Sequence, residues 1–291
     1  MLGHSLARLA ALKHEVLAIY RSFPVSLPEV KSLALDLVDE DRVKKQVLAL
    51  KPEAVVHTAA MTDVEECQRD PLRAKQVNVQ ATKNLARIAG EMGMRFVYIS
   101  TDYVFDGKRG DYVETDPPNP INAYGETKLL GEEAVRLSCS RSFVIRTSIF
   151  GFNIQPKTGL LEFVKDSLAR AESITRFSDQ FSTPIYTGDI GRVILALLDR
   201  GATGLFHIGG GEKISRYDFA VKVAETFSLP QEKIRAVPFK HMERLAQRPR
   251  DSSLCSDKIE SHLRIKLPSA KEGLQRLKQD LAAHQNFGRE K

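Results

Sequence analysis

Short apolar segments alternate with amphipathic segments over the first 150 residues, and this alternation constrains the fold more than any other feature. The strand candidates are compact runs rich in β-branched and aromatic residues, at 16–20, 54–58, 95–99 and 142–146. The helix candidates have the spacing of a helix face, at 1–10, 40–50, 71–93 and 123–137. Strands that alternate with helices predict parallel βαβ units. We therefore expect an α/β fold with a doubly wound parallel sheet covered by helices on both faces.

The pattern loosens after residue 150. Helical periodicity continues at 158–171, 188–199, 215–227 and 269–285, and a short strand candidate lies at 204–208. The sequence thus predicts a dinucleotide-binding domain over 1–150 and a smaller substrate-binding lobe over 151–291, with some segments returning to the sheet. Such a lobe is expected over the carboxyl ends of the strands, where doubly wound folds bind ligands.

Composition narrows the class of protein. No run approaches the roughly 20 apolar residues of a membrane helix, and no basic-then-apolar leader opens the chain. Three scattered cysteines fit a reducing cytoplasm, and the dispersed histidines predict no metal site. The net charge is +6, but the basic residues are spread among acidic ones. This distribution favours an anionic small molecule over nucleic acid as a ligand.

Tyr124 and Lys128 are the strongest catalytic candidates. They are four positions apart, so a helix places them on one face, one turn apart. A nearby ammonium favours a phenolate, so we expect Lys128 to lower the pKa of Tyr124 toward neutrality. A hydroxyl from the strand end at Ser100 and Thr101 can then hold the substrate oxygen. This set of side chains suits carbonyl reduction or alcohol oxidation.

The cofactor candidates follow the strand ends. Gly3 stands where the last glycine of a dinucleotide-binding turn would lie, one helix before the 16–20 strand. Arg21 and Ser22 follow that strand, where a basic residue favours the 2′-phosphate of NADP(H) over NAD(H). The other candidates are Asp36 and Leu37 beside the adenine, and the small-residue segment Thr58, Ala59, Ala60 and Met61. Asn78 fits an ordinary amphipathic helix, and the alternative is that it fixes the backbone near the active site.

Taken together, these motifs resemble the extended short-chain dehydrogenase/reductase superfamily, with its Rossmann-like sheet, and within it the dTDP-4-dehydrorhamnose reductase family. The matching segments are Leu2-Gly3, Asp36-Leu37, His57-Thr-Ala-Ala60, Asn78-Val79, Ser100-Thr-Asp-Tyr-Val-Phe-Asp-Gly107, Tyr124-Gly-Glu-Thr-Lys128, Gly131-Glu132, Arg146-Thr-Ser148 and Arg248-Pro-Arg-Asp-Ser-Ser-Leu254. The resemblance spans nearly the whole chain.

The resemblance implies reduction of a nucleotide-linked 4-keto-6-deoxy sugar by NADPH, with NADH as the alternative cofactor. Tyr124 would donate the proton and contact the cofactor, Lys128 would hold the nicotinamide ribose, and Thr101 would bond the sugar carbonyl. Asp102 and Tyr103 would lie beside the sugar. Arg248 is the candidate for the substrate diphosphate, since a guanidinium can grip phosphate through two parallel hydrogen bonds.

Two departures from the family pattern stand out. Met1 aligns inside the glycine turn, so the first strand and the early glycines are not in this sequence. A chain without them is expected to bind the cofactor poorly or to fold badly. A mis-assigned start codon or a truncation is favoured over a genuinely degenerate protein. Ile149 stands where the reductases often have a tryptophan against the sugar.

Other functions stay open at this point. The regulatory beta subunit of methionine adenosyltransferase resembles the same group, so a non-catalytic NADP-binding protein with a protein partner is the main alternative. An epimerase or dehydratase of the superfamily is the third, with Asp102 as its only additional acid. The oligomeric state is undetermined, with a homodimer among the alternatives.

Overall fold

The computed structural model describes residues 1–153, 158–239 and 245–287, the side chains of 284–287 excepted. Its strands are β1 Val16–Tyr20, β2 Val30–Ala34, β3 Ala54–His57, β4 Arg95–Ile99, β5 Ser142–Arg146, β6 Ser148–Phe150, β7 Ile174–Phe177, β8 Phe181–Ser182, β9 Pro184–Tyr186, β10 Gly204–His207, β11 Ile214–Ser215 and β12 Ile234–Val237. Its helices are α1 Leu2–Ala10, α2 Glu40–Leu50, α3 Val64–Arg69, α4 Pro71–Lys75, α5 Ala81–Glu91, α6 Ala123–Ser138, α7 Leu160–Ala169, α8 Thr187–Asp199, α9 Arg216–Phe227, α10 Asp257–Leu263 and α11 Ala270–Phe287.

The central sheet confirms the predicted doubly wound α/β fold. Its strand order is β10-β5-β4-β3, and all three pairings are parallel. β1 and β2 form a separate parallel pair. Within the described residues, no strand hydrogen-bonds to both β1 and β3. The carboxyl ends of β3, β4, β5 and β10 lie along one edge, where parallel sheets present their ligand sites.

Helices cover both faces of this sheet, which explains why its strands are almost wholly apolar. Phe96 and Tyr98 of β4 join one buried cluster with residues of α5 and α6. Val97, between them, faces the other cluster, with Leu6 of α1 and Ile190 of α8. Successive residues of a strand point to opposite faces, so this alternation is the expected consequence of burial on both sides.

The second half of the chain builds its own core and also returns to the sheet. Helices α7, α9 and α11 pack with β7 and β12 around a separate buried cluster that includes Leu161, Phe219 and Leu274. β10 pairs with β5, and α8 packs on α1. The division at residue 150 stays a prediction, since segments beyond it complete the sheet. None of the described helices is long and apolar enough to cross a membrane.

One predicted helix is less regular than expected. The 71–93 segment is interrupted by a π-helical turn at Gln76–Gln80, between α4 and α5. Asn78 lies in this turn with its side chain buried. π-helical turns occur frequently at functional sites, and this one directs Asn78 toward the end of β3.

Candidate active site

Thr101 lies just beyond the end of β4 and is 5% exposed. Its hydroxyl oxygen accepts the Tyr103 N–H at 3.2 Å and so caps the 3₁₀ turn Asp102–Val104. Its hydroxyl donates to Asp102 Oδ1 at 3.1 Å. The side chain is thereby fixed at the carboxyl edge of the sheet, as the sequence predicted.

The start of α6 places Tyr124 beside this turn. Asn122 caps the helix, since its Oδ1 accepts the Gly125 N–H at 2.9 Å. Gly125 packs against the Tyr103 carbonyl, with no room for a Cβ. The Tyr124 ring meets the Tyr103 ring edge to face, with centroids 6.1 Å apart. Thr101, Tyr103 and Tyr124 therefore converge, which the sequence could not establish by spacing alone.

The expected effect of Lys128 on Tyr124 was wrong. The pKa of Tyr124 is raised, because burial disfavours its phenolate and the nearby Asp102 carboxylate adds to this effect. Hydrogen bonding with Thr101 opposes the rise. Desolvation outweighs any attraction to the ammonium, so the hydroxyl stays protonated at neutral pH. A protonated tyrosine can serve as a proton donor.

The Lys128 ammonium is buried, so its charge is poorly solvated. The residue is 3% exposed, and its Nζ lies 4.1 Å from the centroid of the Tyr98 ring. Burial lowers its pKa to about 7, although Glu132 and Cys67 act in the opposite direction. The described residues provide no carboxylate within 4 Å of this ammonium. Lys128 is thus placed to receive a polar ligand.

Glu132 forms a buried ion pair with Arg146 next to the site. Its carboxylate accepts two hydrogen bonds from Arg146 Nε, at 3.0 and 3.2 Å, and one from Arg146 Nη2 at 2.7 Å. It also accepts the Ser100 hydroxyl at 2.5 Å. All three residues are buried. This buried pair ties α6 to the ends of β4 and β5, next to Thr101. The sequence showed these residues only as separate motifs.

Asn78 fixes the backbone beyond the end of β3, which is the second of the two roles considered for it. Its Oδ1 accepts the Met61 N–H at 2.8 Å, and its Nδ2 donates to the Met61 carbonyl at 3.0 Å. Nδ2 also lies 3.0 Å from the Thr127 hydroxyl of α6. The segment Thr58, Ala59, Ala60 and Met61 is therefore bound to the helix that carries Tyr124 and Lys128.

The predicted cofactor residues differ in how exposed they are. Gly3 approaches β3 closely: a Cβ at Gly3 would lie 2.7 Å from Thr58 Oγ1. Arg21 and Ser22 are exposed after β1, and Asp36 uses its carboxylate to accept the Val38 N–H at 3.0 Å. Leu2 is buried in the core under the sheet, and Leu37 is half-buried. Their roles in cofactor binding stay predictions.

Asp102 is held by a residue that the sequence did not single out. Its Oδ2 accepts the Ser252 hydroxyl at 2.5 Å, and the carboxylate is 3% exposed. Burial raises the pKa of Asp102, while hydrogen bonds from Ser252 and Thr101 oppose the rise. Ser252 lies within the Arg248–Leu254 motif, so the motif was the available signal.

Arg248 does not stand free in the site. Its Nη2 pairs with Glu65 Oε1 at 3.0 Å, and its Nη1 donates to the Ala246 carbonyl at 3.2 Å. The neighbouring Gln247 carbonyl accepts Asn122 Nδ2 at 2.9 Å. Arg248 is thus near the start of α6, but it is engaged by a carboxylate. Its role toward a diphosphate stays a prediction.

The chain matches a known protein family and two groups of relatives over most of its length. The family model described as the RmlD substrate binding domain matches residues 1–283. A probable low-salt glycan biosynthesis reductase from Haloferax volcanii is 33% identical over 244 residues, covering 82% of this chain and 81% of that protein. The methionine adenosyltransferase 2 subunit beta of Danio rerio is 34% identical over 238 residues, covering 78% of this chain and 72% of that protein.

Solved structures with the same fold include two proteins named as dTDP-4-dehydrorhamnose reductases. A hypothetical dTDP-4-dehydrorhamnose reductase from Sulfolobus tokodaii superimposes with a TM-score of 0.82 at 34% identity, covering 92% of this chain and 93% of that one. The dTDP-4-dehydrorhamnose reductase of Bacillus anthracis, in complex with NADP, gives a TM-score of 0.83 at 26% identity, covering 91% and 98%.

Proposed function

Because the chain belongs to the RmlD substrate-binding domain family, we propose that it is an NAD(P)H-dependent reductase of a nucleotide-linked 4-keto-6-deoxy sugar. The observation that carries this proposal is the meeting of Thr101 and Tyr124 at the carboxyl edge of the sheet, above buried Lys128. The solved relatives named above as dTDP-4-dehydrorhamnose reductases support the substrate class.

In this proposal, different residues donate the proton, orient the sugar and support the cofactor. Tyr124, kept protonated by burial, donates its proton to the oxygen of the sugar carbonyl. Thr101 orients that oxygen from the capped turn, and Asp102 and Tyr103 border the sugar. Lys128 supports the cofactor end of the site, where no carboxylate of the described residues lies within 4 Å of its ammonium.

The residues present fit a nicotinamide dinucleotide. Gly3 approaches Thr58 closely, and the residues Ala59 and Ala60 that follow have small side chains, as a close approach of the cofactor requires. Lys128 offers a donor for the ribose hydroxyls, and Arg21 favours a 2′-phosphate, so NADPH is the expected cofactor. When bound, the reduced nicotinamide supplies the hydride. The NADP complex of the Bacillus anthracis relative supports this choice.

The test is oxidation of NADPH in the presence of dTDP-4-dehydrorhamnose. Wild-type protein is expected to turn over, and Tyr124→Phe, which keeps the ring and loses the proton, is expected to lower kcat by about 10²-fold or more. NADPH binding, followed by fluorescence, should be unchanged in Tyr124→Phe. Bound NADPH without turnover of this or related keto-sugars contradicts the proposal.

A second candidate is a non-catalytic regulatory protein, favoured by the 34% identity to a methionine adenosyltransferase 2 subunit beta. Under this alternative, the protein binds a methionine adenosyltransferase catalytic subunit and NADP. Co-purification with such a subunit, undiminished by Tyr124→Phe, supports it. Keto-sugar reduction that disappears in Tyr124→Phe favours the reductase instead.

A further inference from the structure

Arg176, on β7, carries a partly buried guanidinium that has no acidic partner among the described residues. Its Cζ lies 4.2 Å from the centroid of the Phe163 ring, and its Nη1 donates to the Thr175 carbonyl at 2.6 Å. Its Nε is buried and has no hydrogen-bond partner in the described part of the chain. A buried, unpaired N–H carries a desolvation cost, so this group has a free position for an acceptor.

Arg216 is a second cation of the same kind. It is the first residue of α9, and its N–H donates to the Gln180 carbonyl at 3.0 Å. Its side chain lines a cavity of about 50 Å³, together with Ser148 and Ser182. Within 1–153, 158–239 and 245–283, this side chain makes no hydrogen bond or ion pair. It is therefore available to a ligand.

The two guanidinium groups belong to elements that pack together, since α9, which begins at Arg216, contacts β7, which carries Arg176. Burial lowers the pKa of Arg176, and the like charge of Arg216 lowers it further. Arg216 also acts on Asp102, where its charge opposes the rise in the carboxyl pKa. The backbone explains this placement: the Phe181 carbonyl accepts the Ser252 N–H at 3.1 Å, and Ser252 bonds Asp102. Arg216 thus faces the candidate active site.

The nearby carboxylates are already engaged. Asp179 pairs with Arg250 at 2.9 Å, and Asp218 accepts the Ser215 hydroxyl at 2.5 Å. Glu162 accepts the Gly159 N–H at 2.9 Å. Among the described residues neither guanidinium has an ion-pair partner within 4 Å, and an added anion between two neighbouring like charges removes their repulsion. The two unpaired guanidinium groups can therefore hydrogen-bond an anionic ligand.

We propose that Arg176 and Arg216 form an anion subsite that takes the diphosphate of the nucleotide-linked substrate. This inference rests on the proposed function and deepens it by naming the residues that hold the charged part of the substrate. A guanidinium presents paired N–H donors that match phosphate oxygens. The subsite lies in the C-terminal lobe, whereas Tyr124 and Thr101 lie at the sheet edge, so the diphosphate would connect the two.

The experiment is calorimetric titration with inorganic pyrophosphate, which needs neither cofactor nor turnover. Wild-type protein is expected to bind it, and Arg216→Gln and Arg176→Gln are each expected to weaken binding about tenfold or more. Arg170→Gln is the matched control, since Arg170 is exposed and pairs with Glu172. Melting temperatures verify folding. Should Arg176→Gln unfold, Arg216→Gln alone decides, with Arg216→Lys expected to bind at intermediate strength.

Wild-type affinity in both glutamine variants overturns the subsite, as does the absence of pyrophosphate binding to the wild type. If Arg248→Gln is the variant that weakens pyrophosphate binding and the other two do not, the diphosphate binds at Arg248. That result also overturns the subsite at Arg176 and Arg216. Binding that depends on Arg216, in a protein that reduces no keto-sugar, refutes the reductase proposal and leaves the anion subsite standing. The two failures are therefore distinguishable.

Discussion

The Lys128 ammonium lies 4.1 Å from the centroid of the Tyr98 ring, and burial, rather than this ammonium, dominates the raised pKa of Tyr124. The spacing of Tyr124 and Lys128 correctly placed both on α6. Their electrostatic relationship differs from the expected one because each is governed by its own burial. Burial keeps the tyrosine protonated and makes the lysine easier to deprotonate.

The first prediction concerns stability and pH. The pKa of Lys128 is about 7 in the folded protein, against about 10.4 in an unfolded chain. Between these values the unfolded state binds more protons, so this group makes stability rise with pH from about 7 to about 10.4. Below about pH 7 the full free-energy cost of burying the charged Lys128 ammonium is present. Lys128→Met is therefore expected to be more stable than wild type at pH 6.5, by an amount on the order of a few kcal/mol.

Urea unfolding at pH 6.5 and pH 9.5 checks this expectation in cofactor-free protein. The gap between variant and wild type should shrink at the higher pH. Lys165→Met is the matched control, because it makes the same substitution at a half-buried lysine on α7. A gap that is constant with pH would refute the assignment of a depressed pKa to Lys128.

The second prediction concerns Thr101. Thr101→Val removes the cap of the Asp102–Val104 turn and the hydrogen bond with Tyr124. We expect a stability loss of about 1 kcal/mol and a fall in kcat/KM of about 10²-fold. Thr101→Ser keeps the hydroxyl and should retain most activity. Steady-state NADPH oxidation and thermal melts measure the two effects, and equal activity in all three proteins would exclude a catalytic hydroxyl.

The third prediction concerns the Glu132–Arg146 pair. Glu132→Gln keeps an acceptor for the Ser100 hydroxyl but leaves a buried, unpaired guanidinium, so it should cost about 3–5 kcal/mol. Adding Arg146→Met should recover most of that loss, because the unpaired charge is then gone. Urea midpoints measure both. Glu172→Gln, in an exposed pair with Arg170, should leave the midpoint unchanged. A double variant as unstable as Glu132→Gln would contradict the pairing.

Much of the fold could be predicted because its signals are local. The runs at β1, β3, β4 and β5 are apolar on both faces, and periodicity identifies the helices between them. β2 was missed, since Val30-Lys-Ser-Leu-Ala34 is a partly exposed strand with little apolar content. The π-helical turn was missed because it depends on the bonds between Asn78 and Met61, distant in sequence.

The site residues were recognised by motif, but their chemistry required the tertiary structure. Desolvation sets the pKa values of Tyr124 and Lys128, and a sequence does not show how deeply a helix face is buried. The partners of Arg248 and Asp102, which are Glu65 and Ser252, come from distant segments. Side-chain pairing of this kind follows from topology, so spacing alone could not indicate it.

The last prediction concerns the contact of Gly3 with Thr58. A Cβ at Gly3 would lie 2.7 Å from Thr58 Oγ1, closer than side-chain carbons normally come. Gly3→Ala should therefore lower stability by about 1 kcal/mol or more, despite the better helix propensity of alanine. In a Thr58→Ala background the obstacle is gone, and the same substitution should raise stability by up to about 1 kcal/mol. A double-mutant cycle in urea measures this reversal of sign. If Gly3→Ala has the same effect in both backgrounds, α1 does not pack against the end of β3 as described.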